Sequence, residues 1–156
     1  TGIHNLREKG YRQVLQQVGI EPVVLTVDFN TPNSERPGLI RERLDLVADD
    51  IDAVFATDDL AAAQVMEWAA ERDLRIPDDF KVIGFDGTIA MQHALPALTT
   101  IQQPIAKLAR AAVDLLLNRI ASSTTASSDS KQSSEPRKDP QAPSPMPVRL
   151  LPGRTA

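Results

Sequence analysis

Short apolar runs alternate along the chain with longer stretches of helical period. Asn5 to Val18 sets Leu6, Gly10, Tyr11, Val14, Leu15 and Val18 on one face, which predicts a helix ended by Gly19 at the position after its cap. Gly10 inside that helix costs about 1 kcal/mol relative to Ala, and close packing against a strand is its expected reason. Pro22 to Asp28 is apolar and reads as a buried strand ending on an acid. Phe29 to Gly38 is a loop rich in Asn, Thr, Pro and Ser. Leu39 to Ala48 is helical, with Ile40, Leu44 and Val47 inward.

The central stretch, Asp52 to Gly87, repeats the strand pattern twice. Ala53 to Ala56 is a short apolar run followed by the pair Asp58-Asp59, and Leu60 to Arg72 has helical period. After a turn at Pro77-Asp78-Asp79, the run Val82 to Phe85 closes on Asp86. Two short runs joined through a helix form a β-α-β unit with parallel strands. Beyond it, Ile89 to Ala94 forms a short helix, Leu98 to Ile101 a strand, and Ile105 to Ile120 a strongly periodic helix. The expected architecture is α/β: an open, mostly parallel sheet with helices on both faces.

Carboxylates therefore stand at the C-terminal ends of both central strands, the edge at which open α/β sheets bind ligands. One of Asp58 and Asp59 is expected to cap the helix beginning near Leu60, which leaves the other carboxylate for different work. Asp73 falls where that helix ends, a place where Asp tolerates left-handed geometry better than most residues. Asp86 either meets a ligand or caps the next short helix. Tyr11 and Trp68 are read as helix-face packing residues.

The composition then breaks. Ser122 to Pro145 is Ser, Thr, Pro, Lys and Asp with almost no apolar residue, and disorder is expected there. Val148 to Leu151 is expected to return as an edge strand. The domain reading is thus a lobe over 1–121, a disordered segment over 122–145 and a closing strand with tail over 146–156. The opening lacks an initiator Met and enters a helix almost at once, so a fragment or processed chain is expected.

Composition narrows the chemistry. With 42% hydrophobic and 24% charged residues, the chain is an ordinary globular sequence of 156 residues, enough for one domain. A net charge of −4 offers no global attraction for nucleic acid. No cysteine is present, which removes disulfides and thiolate catalysis, and two histidines argue against a His-rich metal site. No apolar run approaches the roughly 18 residues that span a bilayer. No Ser-His or Cys-His arrangement points to a nucleophile, and no glycine-rich phosphate loop occurs. No catalytic residue, metal ligand or cofactor is assigned.

Four motifs in order carry a resemblance. They are Arg7-Glu-Lys-Gly-Tyr11, Asp52-Ala-Val-Phe-Ala-Thr-Asp-Asp-Leu-Ala61, Arg75-Ile-Pro-Asp-Asp79 with Val82-Ile-Gly-Phe-Asp86, and Pro96-Ala-Leu-Thr-Thr-Ile-Gln-Gln103. Together they resemble the C-terminal lobe of the effector-binding core of lactose-repressor-type (LacI/GalR) transcriptional regulators, from Arg7 to about Ala121. The resemblance implies a periplasmic-binding-protein-like lobe. It also implies a sugar-like or related polar effector, a cytoplasmic homodimer, no membrane contact, and DNA binding only through an N-terminal helix-turn-helix that this chain lacks. This sequence departs from the family pattern with Asp58 where Asn is usual, Asp73 where Gly is usual, and a long connection at 122–145.

Carried over position by position, the implied ligand contacts are Arg7, Phe29, Asp58, Asp86 and Gln103. Arg7 would offer a planar fork of donors, and Phe29 a ring for the apolar face of a sugar. Asp86 would accept ligand O–H groups, while Gln103 can both donate and accept. The bland alternatives are a surface Arg, a loop Phe folded on the core, helix caps and a solvated Gln. Two other classes remain open: the lobe of an extracytoplasmic sugar-binding protein, and a Mg²⁺-dependent phosphoacceptor domain using Asp58, Asp59 and Asp86.

Overall fold

The structure is a computed structural model and describes residues 3–28, 30–125 and 145–156. It forms two units, Thr1–Gln102 with Leu150–Ala156, and Gln103–Arg149. The first holds α1 (Ile3–Val18), α2 (Arg36–Asp45), β1 (Ala53–Phe55), α3 (Asp59–Glu71), β2 (Lys81–Asp86), α4 (Ile89–Ala94) and β3 (Thr99–Gln102), with most of β4 (Arg149–Leu151). The second contains α5 (Ile105–Thr125).

The sheet order is β1-β2-β3-β4. β1 runs parallel to β2 with Val54 opposite Val82, and β2 runs parallel to β3 with Gly84 opposite Thr100. The α/β architecture expected from the alternating pattern is therefore present. Its core lies between α3 and the sheet. Ala62, Val65, Trp68 and Ala69 recur at helical spacing on α3 and are buried with Phe80, Val82 and Leu98. The Trp68 and Phe80 rings meet at 5.5 Å between centroids. Trp68 Nε1 also donates to Asp45 Oδ1 at 2.7 Å, joining α3 to α2, and Arg72 pairs with the same carboxylate. The Trp68 and Arg72 donors hold the Asp45 carboxyl below its ordinary range.

Two helix ends follow from single residues. After α1, Gly19 takes φ +75° and Ile20 N–H donates to Leu15 C=O at 3.0 Å, a Schellman closure. After α3, Asp73 occupies the same left-handed region at φ +58°, with Leu74 N–H donating to Ala69 C=O at 3.0 Å. An acid thus stands where glycine would be easier, as the sequence anticipates.

The C-terminal tail is built into the sheet. Thr155 is buried; its hydroxyl accepts from Thr99 N–H at 2.9 Å and donates to Val82 C=O at 2.7 Å. Its own carbonyl accepts from Val82 N–H at 2.7 Å. A Cβ added at Gly153 would collide with the Ala97 carbonyl oxygen and the Leu98 backbone, so only glycine lets the tail lie this close.

Four expectations are corrected. Pro22 to Asp28 is not a strand among the described residues, and Val23 and Leu25 stay about two-fifths exposed. An apolar run becomes a strand only where its backbone finds a pairing neighbour; here Tyr11 Oη donates to Val23 C=O, and the run lines a cavity together with β1 instead of pairing with it. A Cβ added at Gly10 would meet nothing within 4 Å, so close packing does not explain that glycine. α2 begins at Arg36, three residues before Leu39, because Pro37 fits the first turn of a helix. α5 continues to Thr125, so 122–125 are helical; the rest of the expected disordered segment, 126–144, lies outside the described residues.

Candidate functional site

The site is assembled where β1 and β2 end. β1 passes through Ala56 and Thr57 into Asp58, which is the N-cap of α3: its extended backbone (φ −152°) turns the side chain so that Oδ1 accepts from Ala61 N–H at 2.7 Å. Of the acidic pair, the residue nominated for ligand binding is therefore also the cap. Asp59, read with Asp58 and Asp86 as part of the acidic sheet edge but not among the implied ligand contacts, is 2% exposed and points inward. Its Oδ2 accepts from Gly87 N–H at 2.9 Å and its Oδ1 from Thr100 Oγ1 at 2.5 Å.

β2 ends on Asp86 in a backbone conformation unusual for a residue with a side chain, φ +109°. The next helix does not need Asp86 as its cap. Thr88 caps α4, accepting from Met91 N–H at 3.3 Å. The bland explanation for Asp86 is thereby removed.

α1 brings Arg7 to the same place. Its side chain is only 14% exposed. One guanidinium nitrogen donates to Thr57 C=O at 2.5 Å, another lies 3.9 Å from Asp86 Oδ1, and the planar group stacks 3.8 Å from the Phe85 ring centroid. Arg7 is thus not a solvated surface residue near a chain end, and part of its donor fork is engaged within the protein. Phe85 meets Phe55 edge to face at 6.3 Å. Neither ring is among the residues nominated from sequence. The alternation along β2 is the signal for Phe85: Val82 and Gly84 face α3, which sends Ile83 and Phe85 to the opposite face.

A cavity of about 810 Å³ is lined by Arg7, Tyr11, Phe55, Asp58 and Asp86 and by the run Val23–Val27 among others. Its size is in the range of small-molecule sites. It offers carboxylate acceptors, a cation and aromatic surface, a combination that can hold a polyhydroxylated ring by its edges and its face. Tyr11, read from sequence as a packing residue, lines this cavity. Phe29 lies outside the described residues, and Gln103 opens the second unit, directly after β3. Among the described residues, no group of three or more His, Cys, Asp or Glu side chains is arranged to hold a metal ion. No described helix is long and apolar enough to cross a membrane.

Comparison with known proteins gives a consistent picture. The profile of the periplasmic binding protein-like domain family matches residues 1–155. The ribose operon repressor of Halalkalibacterium halodurans is 32% identical over 73% of this chain and 34% of its own length. The HTH-type transcriptional regulator CelR of Thermobifida fusca is 34% identical over 76% of this chain and 35% of its own. Among solved structures, a CelR-cellobiose complex superposes with a TM-score of 0.72 at 27% identity, covering 96% of this chain and 42% of that one. A periplasmic binding protein/LacI transcriptional regulator of Alkaliphilus metalliredigens complexed with D-xylulofuranose gives 0.71 at 25% identity, covering 97% and 51%. The chain spans about a third of the length of the curated relatives it matches.

Proposed function

The chain belongs to the periplasmic binding protein-like domain family and its relatives are LacI-type regulators, and from that premise we propose that it is the effector-binding lobe of a DNA-binding transcriptional regulator sensing a sugar-like polyhydroxyl molecule. The convergence of Arg7, Asp58 and Asp86 on one cavity at the ends of β1 and β2 carries this reading. Asp86 and the second oxygen of Asp58 accept ligand hydroxyls, Arg7 donates, and the Phe55 ring covers an apolar face. Phe29 and Gln103 complete the proposed contact set.

In this reading the protein is a cytoplasmic homodimer without catalytic activity or cofactor. A second lobe supplies the facing wall of the site, and a helix-turn-helix supplies the DNA contact. An extracytoplasmic sugar-binding role is the weaker reading, because the curated relatives are transcriptional regulators. One wall alone loses about half the contacts while the entropy of association is undiminished, so the isolated chain binds its effector only weakly.

The test is NMR titration of the full chain with a panel of neutral mono- and disaccharides, ribose and cellobiose included, at tens of millimolar. Expected are shifts at Arg7, Asp58 and Asp86 with at least one sugar, abolished by Asp86→Ala. Perturbation confined to residues away from these three, or none with any sugar, overturns the reading.

A further inference from the structure

We propose that Asp59 is a positioning residue of this site, holding the Asp86–Gly87 peptide in the orientation that aims Asp86 at the effector. The proposal rests on the reading of Asp86 as a ligand acceptor and adds Asp59 as a residue that acts through it.

The observations are geometric. Asp59 is the first residue of α3 and is 2% exposed. A buried carboxylate persists only where its oxygens find donors. Asp58 caps the helix, and the Asp59 carboxylate turns into the sheet and accepts from two other elements, Gly87 N–H at 2.9 Å beyond β2 and Thr100 Oγ1 at 2.5 Å on β3. Gly84 makes the room for it. A Cβ added at that position would collide with Asp59 Oδ1.

Gly87 is held from its other side as well. Its carbonyl accepts from Gln92 Nε2 at 2.6 Å and from Gln102 Nε2 at 3.3 Å. A Cβ on Gly87 would lie 2.7 Å from Gln102 Cα, and its φ is +57°. Gly87 is therefore clamped through both its N–H and its carbonyl. Asp86, at φ +109°, sits where residues with side chains rarely rest, and such a conformation lasts only when its surroundings over-determine it. Asp59 is the charged member of that clamp. It links α3, the β2–α4 turn and β3 at one point, so the direction of Asp86 depends on a residue twenty-seven positions earlier.

The experiment is NMR on the full chain, comparing wild type with Asp59→Ala, Asp59→Asn and Thr100→Val. Two local readouts matter: amide hydrogen exchange at Gly87 relative to that at Val82, and the three-bond HN–Hα coupling of Asp86, which reports φ. Asp59→Ala is expected to speed Gly87 exchange at least tenfold more than Val82 exchange and to change the Asp86 coupling. Asp59→Asn keeps an acceptor for Gly87 N–H and a donor for Thr100 Oγ1, so it restores both readouts to near wild type. Thr100→Val removes only the partner on β3, and several-fold faster Gly87 exchange is expected. A folded Asp59→Ala with unchanged Gly87 exchange and Asp86 coupling overturns the proposal. If Asp59→Ala does not fold, unchanged readouts in Thr100→Val do the same. Asp86→Asn in the sugar titration separates the two ideas: unimpaired binding there removes the ligand role of Asp86, whereas the Gly87 response judges Asp59 alone.

Discussion

The guanidinium of Arg7 lies 3.8 Å from the centroid of the Phe85 ring, seventy-eight positions away in sequence, and bonds Thr57 C=O from the same position. One side chain of α1 thereby touches the ends of both β1 and β2. It is a structural strut and a cavity wall at once.

Arg7→Lys and Arg7→Ala test both contributions. Lysine keeps the charge near Asp86 but lacks the planar group that stacks on Phe85 and the fork that reaches Thr57. Both Arg7→Lys and Arg7→Ala are expected to lower stability, by about 0.5–2 kcal/mol for the lost stacking alone. Sugar-induced shifts at Asp86 should weaken in both. Urea unfolding followed by Trp68 fluorescence gives the stability. Variants as stable as wild type would show that the stack carries no weight.

Asp58 has two roles that a pair of substitutions can part. Asp58→Ala removes the cap bond to Ala61 N–H and should cost about 1 kcal/mol of stability. Asp58→Asn restores the residue usual in the family and caps equally well, so stability should change by only a few tenths of a kcal/mol. Any change in the sugar titration of Asp58→Asn then reports on the carboxylate itself. Thermal melts of the two variants run beside the titration; equal melting temperatures for Ala and Asn would remove the capping role.

The tail is expected to be essential to the sheet. Thr155→Val leaves Thr99 N–H and Val82 C=O buried without their partner, at about 1–3 kcal/mol for each. Gly153→Ala forces a backbone contact apart and should be similarly severe. Urea midpoints of the two variants decide the matter, and a midpoint within error of wild type for both would mean the tail is dispensable.

The turn before β2 predicts a pH effect. Side-chain hydrogen bonds from Arg75, supported by its backbone N–H, hold the Asp79 carboxyl at about 2. A carboxyl held low in the folded state contributes stability above its ordinary value of 3.8, and that contribution is lost as pH falls toward 2. Asp79→Asn cannot ionise, so its melting temperature should fall less steeply than wild type across that interval. Parallel profiles for the two proteins would refute the assignment.

Much of this organisation is legible in the order of the amino acids. Helical period locates α1 and α3, and short apolar runs locate the three parallel strands, because a helix buries one face whereas a covered parallel strand is buried on both. The acids at the ends of β1 and β2 are legible because topology alone puts strand ends at the binding edge. The strand expected over Pro22 to Asp28 fails for a physical reason: apolar composition reports a tendency to be buried, whereas a strand also needs a neighbour with free backbone groups.

By itself, the sequence determined the α/β alternation, the left-handed helix ends at Gly19 and Asp73, and the collection of carboxylates at one sheet edge. Only the tertiary structure decided the division of labour within Asp58-Asp59. Both carboxylates are chemically able to cap α3, and local sequence cannot choose between them. The choice fell to contacts made by distant residues: room at Gly84, a hydroxyl at Thr100 and an N–H at Gly87 draw Asp59 inward and leave the cap to Asp58. The same holds for Arg7, whose role depends on Thr57, Phe85 and Asp86 arriving together, which no spacing along the chain records.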